Sequence, residues 1–275
     1  MELLGDCDLG ANPWPGIDGP RGFRHTYAHM PISFVPALRA QSHARIALVG
    51  PPGSGKTYSA LRIAQGLGCQ RIALIDSERK KSLKQSGKSV AFNVAVLENH
   101  APRTYCEALE AAAKAGFDGL IIDSLSDEWE GDGGMLSKVE EKSGDSSDER
   151  GVWRKLNPEH THLFDLILQY PGHVIGTVRA RKAREPDRRK PKELEPLQRE
   201  GWDYQFDLVG MLDFEHRLTL SKSCVEALPR GSVVPQPGVD FGRRFAAWLR
   251  GGDARASEPS NVVNGVAAAA VATGD

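Results

Sequence analysis

Between residues 45 and 250 the apolar positions follow two rhythms that take turns along the chain. Short apolar runs bounded by glycine, proline or charge predict strands at 45–49, 71–76, 118–123 and 173–178. Amphipathic stretches between them predict helices at 56–67, closed by Gly68, and at 102–115, closed by Gly116. A third helix is predicted over 158–169, opened by Asn157-Pro158 and stopped before Pro171. Alternation of this kind specifies an α/β fold, a mostly parallel central sheet with helices on both faces. Two later runs, 206–213 and 216–222, predict an antiparallel strand pair, and an amphipathic helix from Phe241 to Leu249 closes the pattern. No internal repeat is visible.

Neither rhythm reaches the ends. Residues 1–29 carry glycines, prolines and scattered polar groups, and predict a disordered N-terminal extension. Met30 opens the segment leading into the first core strand, so translation from Met30, or a dispensable residue 1–29 segment, is expected. Residues 251–275, rich in Gly, Ala, Ser and Val, predict a flexible C-terminal tail. One domain, 30–250, is left between them. Within it, the acidic stretch 126–156 is expected to be a long connection, with Trp129 and Trp153 at its borders as packing residues.

The formal net charge is −1, so any attraction for a polyanion must be local. Cys7, Cys69, Cys106 and Cys224 lie far apart, without metal-ligand spacing, as reduced thiols of a cytoplasmic protein would. No signal peptide and no long apolar run is present, so a membrane role is not expected.

Candidate chemistry begins at residues 50–57. Gly50, Pro51, Pro52, Gly53, Ser54, Gly55, Lys56 and Thr57 fit the G-x-x-x-x-G-K-[ST] phosphate-binding loop. Glycines let successive N–H groups turn inward towards phosphate oxygens. Lys56 adds a positive charge for the β- and γ-phosphates, and the Thr57 hydroxyl is a ligand for Mg²⁺. An apolar strand before the loop and a helix after it complete an anion site. ATP and Mg²⁺ are the expected ligands. Asp123 ends the run Leu120-Ile-Ile and is placed to hold the metal's water shell, the Walker B role. In AAA-plus machines a Glu follows that Asp, whereas Ser124 stands here, so another carboxylate must orient the attacking water. Glu78, at the end of Ile75-Asp76-Ser77-Glu78, is the first candidate, and Asp127 with Glu128 is the runner-up pair.

The run Arg71-Ile-Ala-Leu-Ile-Asp-Ser-Glu78, then Ile121-Ile-Asp-Ser124, then Gly176-Thr-Val-Arg179 is similar to the RecA ATPase core. More narrowly, the chain resembles the short RecA-like ATP-binding proteins of bacteriophages and prophages, of the single-strand-annealing recombinase type. Phe34-x-x-Ala37, Ser59-Ala-Leu61, Asp123-Ser-Leu-Ser-Asp-Glu-Trp129, Glu195-Pro-x-Gln-Arg199 and Tyr204-x-Phe-Asp207 carry that likeness. It implies a RecA-like P-loop NTPase core over 30–250, DNA-stimulated ATP hydrolysis, and action on single-stranded DNA in a bacterial host cell. A homo-oligomeric ring or filament, and a single-strand-binding protein as partner, are implied too. Tyr58 and Thr177 would touch the nucleotide; where RecA recombinases carry a γ-phosphate sensor Gln at the end of the fourth strand, this chain departs from them and has Thr177 and Arg179. On the late strand, Lys222 would reach a neighbouring subunit's γ-phosphate.

A local charge anomaly fits the same picture. Residues 179–192 hold Arg179, Arg181, Lys182, Arg184, Arg188, Arg189, Lys190 and Lys192 against only Glu185 and Asp187. Such a stretch neutralises backbone phosphates, giving salt-dependent, sequence-independent nucleic-acid binding. Two other readings stay open from the residues: a nucleotide-driven motor or switch of the helicase-loader kind acting through a protein partner, and a small-molecule kinase with the basic stretch as lid.

Overall fold

A computed structural model describes residues 37–87, 90–143, 149–182 and 194–251. Two compact units divide the chain, Met1–Ala37 and Leu38–Asp275, and all described residues but Ala37 lie in the second. The extension expected over 1–29, the start at Met30, Phe34 and nearly all of the tail lie outside the described residues.

The elements β1 (Arg45–Gly50), α1 (Lys56–Leu67), β2 (Ile72–Asp76), β3 (Asn93–Val96), α2 (Pro102–Lys114) and β4 (Gly119–Asp123) come first. They are followed by α3 (Leu125–Glu130), α4 (Met135–Ser143), α5 (Glu149–Gln169), β5 (His173–Lys182) and β6 (Leu194–Pro196). The end of the fold is β7 (Leu208–Leu212), β8 (Arg217–Ser223), β9 (Val233–Pro235) and α6 (Val239–Arg250). Among the described residues the strands form one nine-stranded sheet in the order β3-β2-β4-β5-β1-β7-β8-β9, with β6 paired to β5. Pairing is parallel from β3 through β7 and antiparallel for β7–β8, β8–β9 and β5–β6. The mostly parallel α/β architecture with a late antiparallel pair, read from the sequence as a RecA-like P-loop core, is the fold observed.

Side chains of successive strand residues go to opposite faces and so build two cores. Ile46 and Leu48 of β1, Leu74 of β2, Ile121 of β4 and Ile175 of β5 pack with Ile63 of α1 and Phe245 of α6. Their neighbours Ala47, Val49, Ile75, Leu120, Ile122 and Val174 pack with Leu109 of α2 and Leu163 and Ile167 of α5. Because both faces are covered, the strands read as continuous apolar runs.

Two expectations need correction. The stretch 126–156 is mostly helical rather than a long connection: it holds most of α3, all of α4 and the first turns of α5. Met135 with Val139, and Val152 with Leu156, are spaced four apart, and with Trp129 and Trp153 they form a small third core. Abundant acidic residues on the outer faces hide that stripe in the sequence. Pro158 does not open a helix but sits inside α5. Its missing N–H deprives the carbonyl of residue 154, and Arg154 is exposed, so water can take that bond. Edge strand β3 is short and mostly exposed, too weak a pattern to be legible.

The α1–α6 crossing depends on two glycines. A Cβ on Gly66 would lie 2.1 Å from the Val239 carbonyl oxygen, and one on Gly242 would lie 2.3 Å from that of Ile63. Alanine favours a helix interior by about 1 kcal/mol over glycine, but the obstacle here is backbone and cannot rotate away. Overpacking costs about 1–3 kcal/mol or more, so Gly66→Ala is expected to destabilise the domain. Thermal denaturation should show a lower Tm; an unchanged or raised Tm would mean that α6 shifts freely.

One buried cation anchors the amino-terminal end of the central strand β1, opposite the site. Arg45 is 6% exposed, and its guanidinium donates to the carbonyls of Gly172 (2.7 Å), Tyr170 (2.7 Å), Leu168 (2.9 Å) and Ala44 (3.2 Å). Burial pulls its pKa down to about 10, partly offset by Asp207, so it remains charged at neutral pH. The turn after α5 is thereby tied to the start of β1.

Candidate functional site

Ligands of open α/β sheets gather beyond the carboxyl ends of the parallel strands, and here the loop 50–55 lies between the end of β1 and α1. Gly53 and Gly55 have φ of +81° and +90°, a left-handed backbone that suits glycine. A Cβ on Gly50 would come within 2.6 Å of Ser54 Oγ and 2.8 Å of the Leu212 carbonyl oxygen. The tight loop leaves the first N–H groups of α1 free of helical partners, which is what an anion requires. His216 Nδ1 donates to the Ser54 carbonyl at 3.0 Å and ties the loop to the turn before β8.

Three elements far apart in sequence meet at Asp123. The Thr57 hydroxyl donates to one carboxylate oxygen at 2.6 Å, and the Thr177 hydroxyl donates to the other. Thr177 therefore braces Asp123 from β5. The Asp123–Ser124 peptide bond is cis. Burial raises the pKa of Asp123, a tendency opposed by the hydrogen bonds from Thr177 and Thr57. Lys56 Nζ donates to the carbonyls of Gly50 (2.9 Å) and Pro51 (3.0 Å). Burial lowers its pKa, while Asp123 and then Glu78 pull it back up. Each group alone is poorly solvated, and each supplies charge that the other lacks.

A cleft of about 460 Å³ is lined by Pro52, Gly53, Gly55, Lys56, Thr57, Tyr58, Glu78, Lys81, Gln85, Asp123 and Arg179. Its volume falls in the range of small-molecule sites. A somewhat larger hollow, about 540 Å³, adjoins it beside Arg62 and α6. That hollow holds none of the phosphate-loop lysine, Glu78 or Asp123, so chemistry rather than size identifies the site.

The three carboxylates weighed for water activation are separated by the fold. Glu78 lines the cleft, ion-paired to Lys81 at 2.9 Å. It is presented by a turn in which Arg79 and Lys80 take positive φ. Buried Asp76 secures that turn, accepting from the Ser82 backbone N–H at 3.0 Å and from its hydroxyl. Asp127 is instead engaged by the hydroxyls of Ser77 (2.7 Å) and Ser124 (3.3 Å) and by Arg179. Glu128 is fully buried against His160 Nδ1 at 2.9 Å. Neither lines the cleft.

The basic stretch is divided. Arg179, grouped by sequence with the nucleic-acid contacts, lines the phosphate cleft because β1–β5 register sets it opposite Gly50. Arg181 pairs with Glu195 at 2.7 Å on β6, and Lys182 is exposed at the end of β5. Arg184, Arg188, Arg189, Lys190 and Lys192 lie outside the described residues. Since β5 and β6 pair antiparallel, residues 183–193 connect the arms of a hairpin. Lys222 is not among the cleft residues; its ammonium donates to the carbonyls of Asp203 (2.8 Å) and Tyr204 (3.3 Å). Lys81, Gln85 and the Asp76–Ser82 brace were missed by sequence reasoning, and only the three-residue spacing of Glu78 and Lys81 hinted at any of them.

No helix among the described residues is long and apolar enough to cross a membrane. No cluster of three or more His, Cys, Asp or Glu that could hold a metal occurs among them either. Residues 42–234 match the model of a family described as an AAA domain. No curated protein matches the chain in sequence. Solved structures similar to it include the RadB recombinase, with 15% identity, 70% of this chain and 89% of that one covered, and a TM-score of 0.44. Another is a prototypical ATPase from the type III secretion system of pathogenic bacteria, with 15% identity and a TM-score of 0.34. That match covers 61% of this chain and half of the other.

Proposed function

The chain belongs to the AAA domain family, and on that premise we propose that it is a Mg²⁺-dependent ATPase acting on single-stranded DNA. Residues 30–250 form its ATPase domain in this reading, and its use is annealing or recombination of the kind found in phage DNA metabolism. The observation that carries the ATPase part is the convergence of Lys56, Thr57, Glu78, Asp123 and Arg179 on one cleft at the strand ends.

The residues suit the ligands. A threonine hydroxyl beside a carboxylate is a hard-oxygen pair, and Mg²⁺ takes one or two such ligands together with waters and phosphate oxygens. Thr57 and Asp123 would hold it, and when bound it would neutralise phosphate charge and polarise the terminal phosphoryl group. Lys56 exchanges its two carbonyl contacts for β- and γ-phosphate oxygens. Glu78 orients the attacking water and takes its proton. Because Ser124 stands where AAA-plus machines carry a glutamate, the end of β2 supplies this carboxylate.

Support for the nucleic-acid part comes from the hairpin. The basic run joins β5 to β6, and the Leu197 N–H donates to the Arg179 carbonyl at 2.8 Å, so the hairpin base is fastened to a cleft residue. Phosphate neutralisation by the run would report to the ATP site along β5.

Steady-state ATPase measured with and without single-stranded DNA, at two salt and two protein concentrations, tests the whole proposal. Strong stimulation that salt weakens is expected, with a rate per subunit that rises with protein concentration if a homo-oligomer is the working form. A rate indifferent to DNA would overturn the nucleic-acid part and favour a switch acting through a protein partner. Phosphate transfer to a metabolite would reveal a kinase instead.

A further inference from the structure

Arg179 has a position that nucleic-acid binding does not explain. Its neighbours across β1 and within the cleft are the first residue of the phosphate loop, Lys56, Thr57 and Asp123. Two residues earlier on the same strand, Thr177 already braces Asp123. We propose that Arg179 is a catalytic residue: its guanidinium contacts the terminal phosphoryl group in the transition state, and Asp127 and Glu130 hold it between turnovers. The inference rests on the ATPase reading above.

The contacts of Arg179 suit exchange rather than permanent structure. Its Nη2 is bonded to Asp127, but its Nε is buried without a hydrogen-bond partner. Donor capacity is therefore left uncommitted beside an anion site. The second carboxylate, Glu130, is 3.7 Å away, beyond hydrogen-bond range, and remains partly exposed. When the guanidinium leaves, Asp127 Oδ2 keeps the Ser77 (2.7 Å) and Ser124 (3.3 Å) hydroxyls and Oδ1 alone gives up its hydrogen bond, so the carboxylate stays partly partnered. A planar guanidinium matches phosphate oxygens in a two-point geometry that lysine cannot copy.

The chemical step balances with the groups at hand. Water oxygen bonds to the terminal phosphorus, the bond from that phosphorus to the bridging oxygen breaks, and the water proton passes to Glu78. ADP and phosphate leave. Charge grows on the bridging and equatorial oxygens, where a preorganised cation is most effective. The backbone of Arg179 links this event to the hairpin. Its N–H donates to Ser126 Oγ at 2.8 Å, fixing the start of α3, and its carbonyl holds Leu197.

Arg179→Gln is the informative variant, because glutamine still donates to Asp127 and keeps that carboxylate partnered. It is expected to lower kcat about 100-fold or more while changing the ATP dissociation constant less than about three-fold. Single-stranded DNA affinity and its salt slope should stay unchanged. Added guanidinium should restore part of the turnover of Arg179→Ala, a rescue that a structural role would not give. A kcat within about three-fold of the unsubstituted protein, or reduced DNA affinity with intact kcat, overturns the assignment. Absence of turnover in the unsubstituted protein would bring down the ATPase reading itself, whereas turnover there that survives Arg179→Gln brings down only the role of Arg179.

Discussion

Lys56→Ala is expected to abolish ATP turnover, with kcat/KM reduced by about 1,000-fold or more. The size follows from charge. An ammonium about 4 Å from a phosphate oxygen is worth about 4 kcal/mol at an effective dielectric constant near 20, and each 1.36 kcal/mol is a factor of ten. The variant loses more than that attraction. Asp123 and Glu78 both act on Lys56 electrostatically, and without it two carboxylates face the incoming phosphates. The fold should survive, since the ammonium holds only the Gly50 and Pro51 carbonyls, at the mouth of the loop. Calorimetric titration with ATP and a steady-state rate assay check both parts. Hydrolysis within ten-fold of the unsubstituted protein would refute the site.

Glu78→Gln is expected to separate binding from chemistry. Glutamine keeps the shape of the side chain, so ATP should bind with an affinity changed by only a few-fold. A positioned general base contributes about 10²–10⁴ in rate, and kcat should fall by that amount. Breaking the ion pair with Lys81, which is largely exposed, costs about 1 kcal/mol or less and leaves the Tm nearly unchanged. The comparison with Asp127 sharpens the test. Asp127 lies outside the cleft, held by Ser77 and Ser124 and, between turnovers, by Arg179, so its substitution by asparagine should lower stability more than Glu78→Gln does. Full activity in Glu78→Gln would return the base to Asp127 or Glu128 and with it the reading of this cleft.

Much of this was legible from local pattern. A glycine loop between an apolar strand and a helix leaves its signature in adjacent residues, because backbone conformation and helix initiation are local properties. The same holds for strands buried on both faces, whose apolar runs need no knowledge of their neighbours. The helices over 126–156 were not legible, since acidic outer faces outweigh a stripe only two or three residues long. Pro158 misled for a related reason: its cost to a helix depends on whether water can reach one carbonyl.

By itself, then, the sequence determined the phosphate loop, the alternation of the central strands and helices, and the acid at the end of β4. Tertiary structure alone decided which side chains share the cleft. Thr57 and Asp123 meet there, with Thr177 bracing Asp123 from behind, only because β1 and β5 pair, as do β4 and β5. The Gly50–Arg179 register brought an arginine of the basic run into the cleft, and hydrogen bonds withdrew Asp127 and Glu128 from it. The physical reason is that backbone signals act over a few residues, whereas a catalytic constellation is set by strand register and by competition for partners between residues fifty or more positions apart.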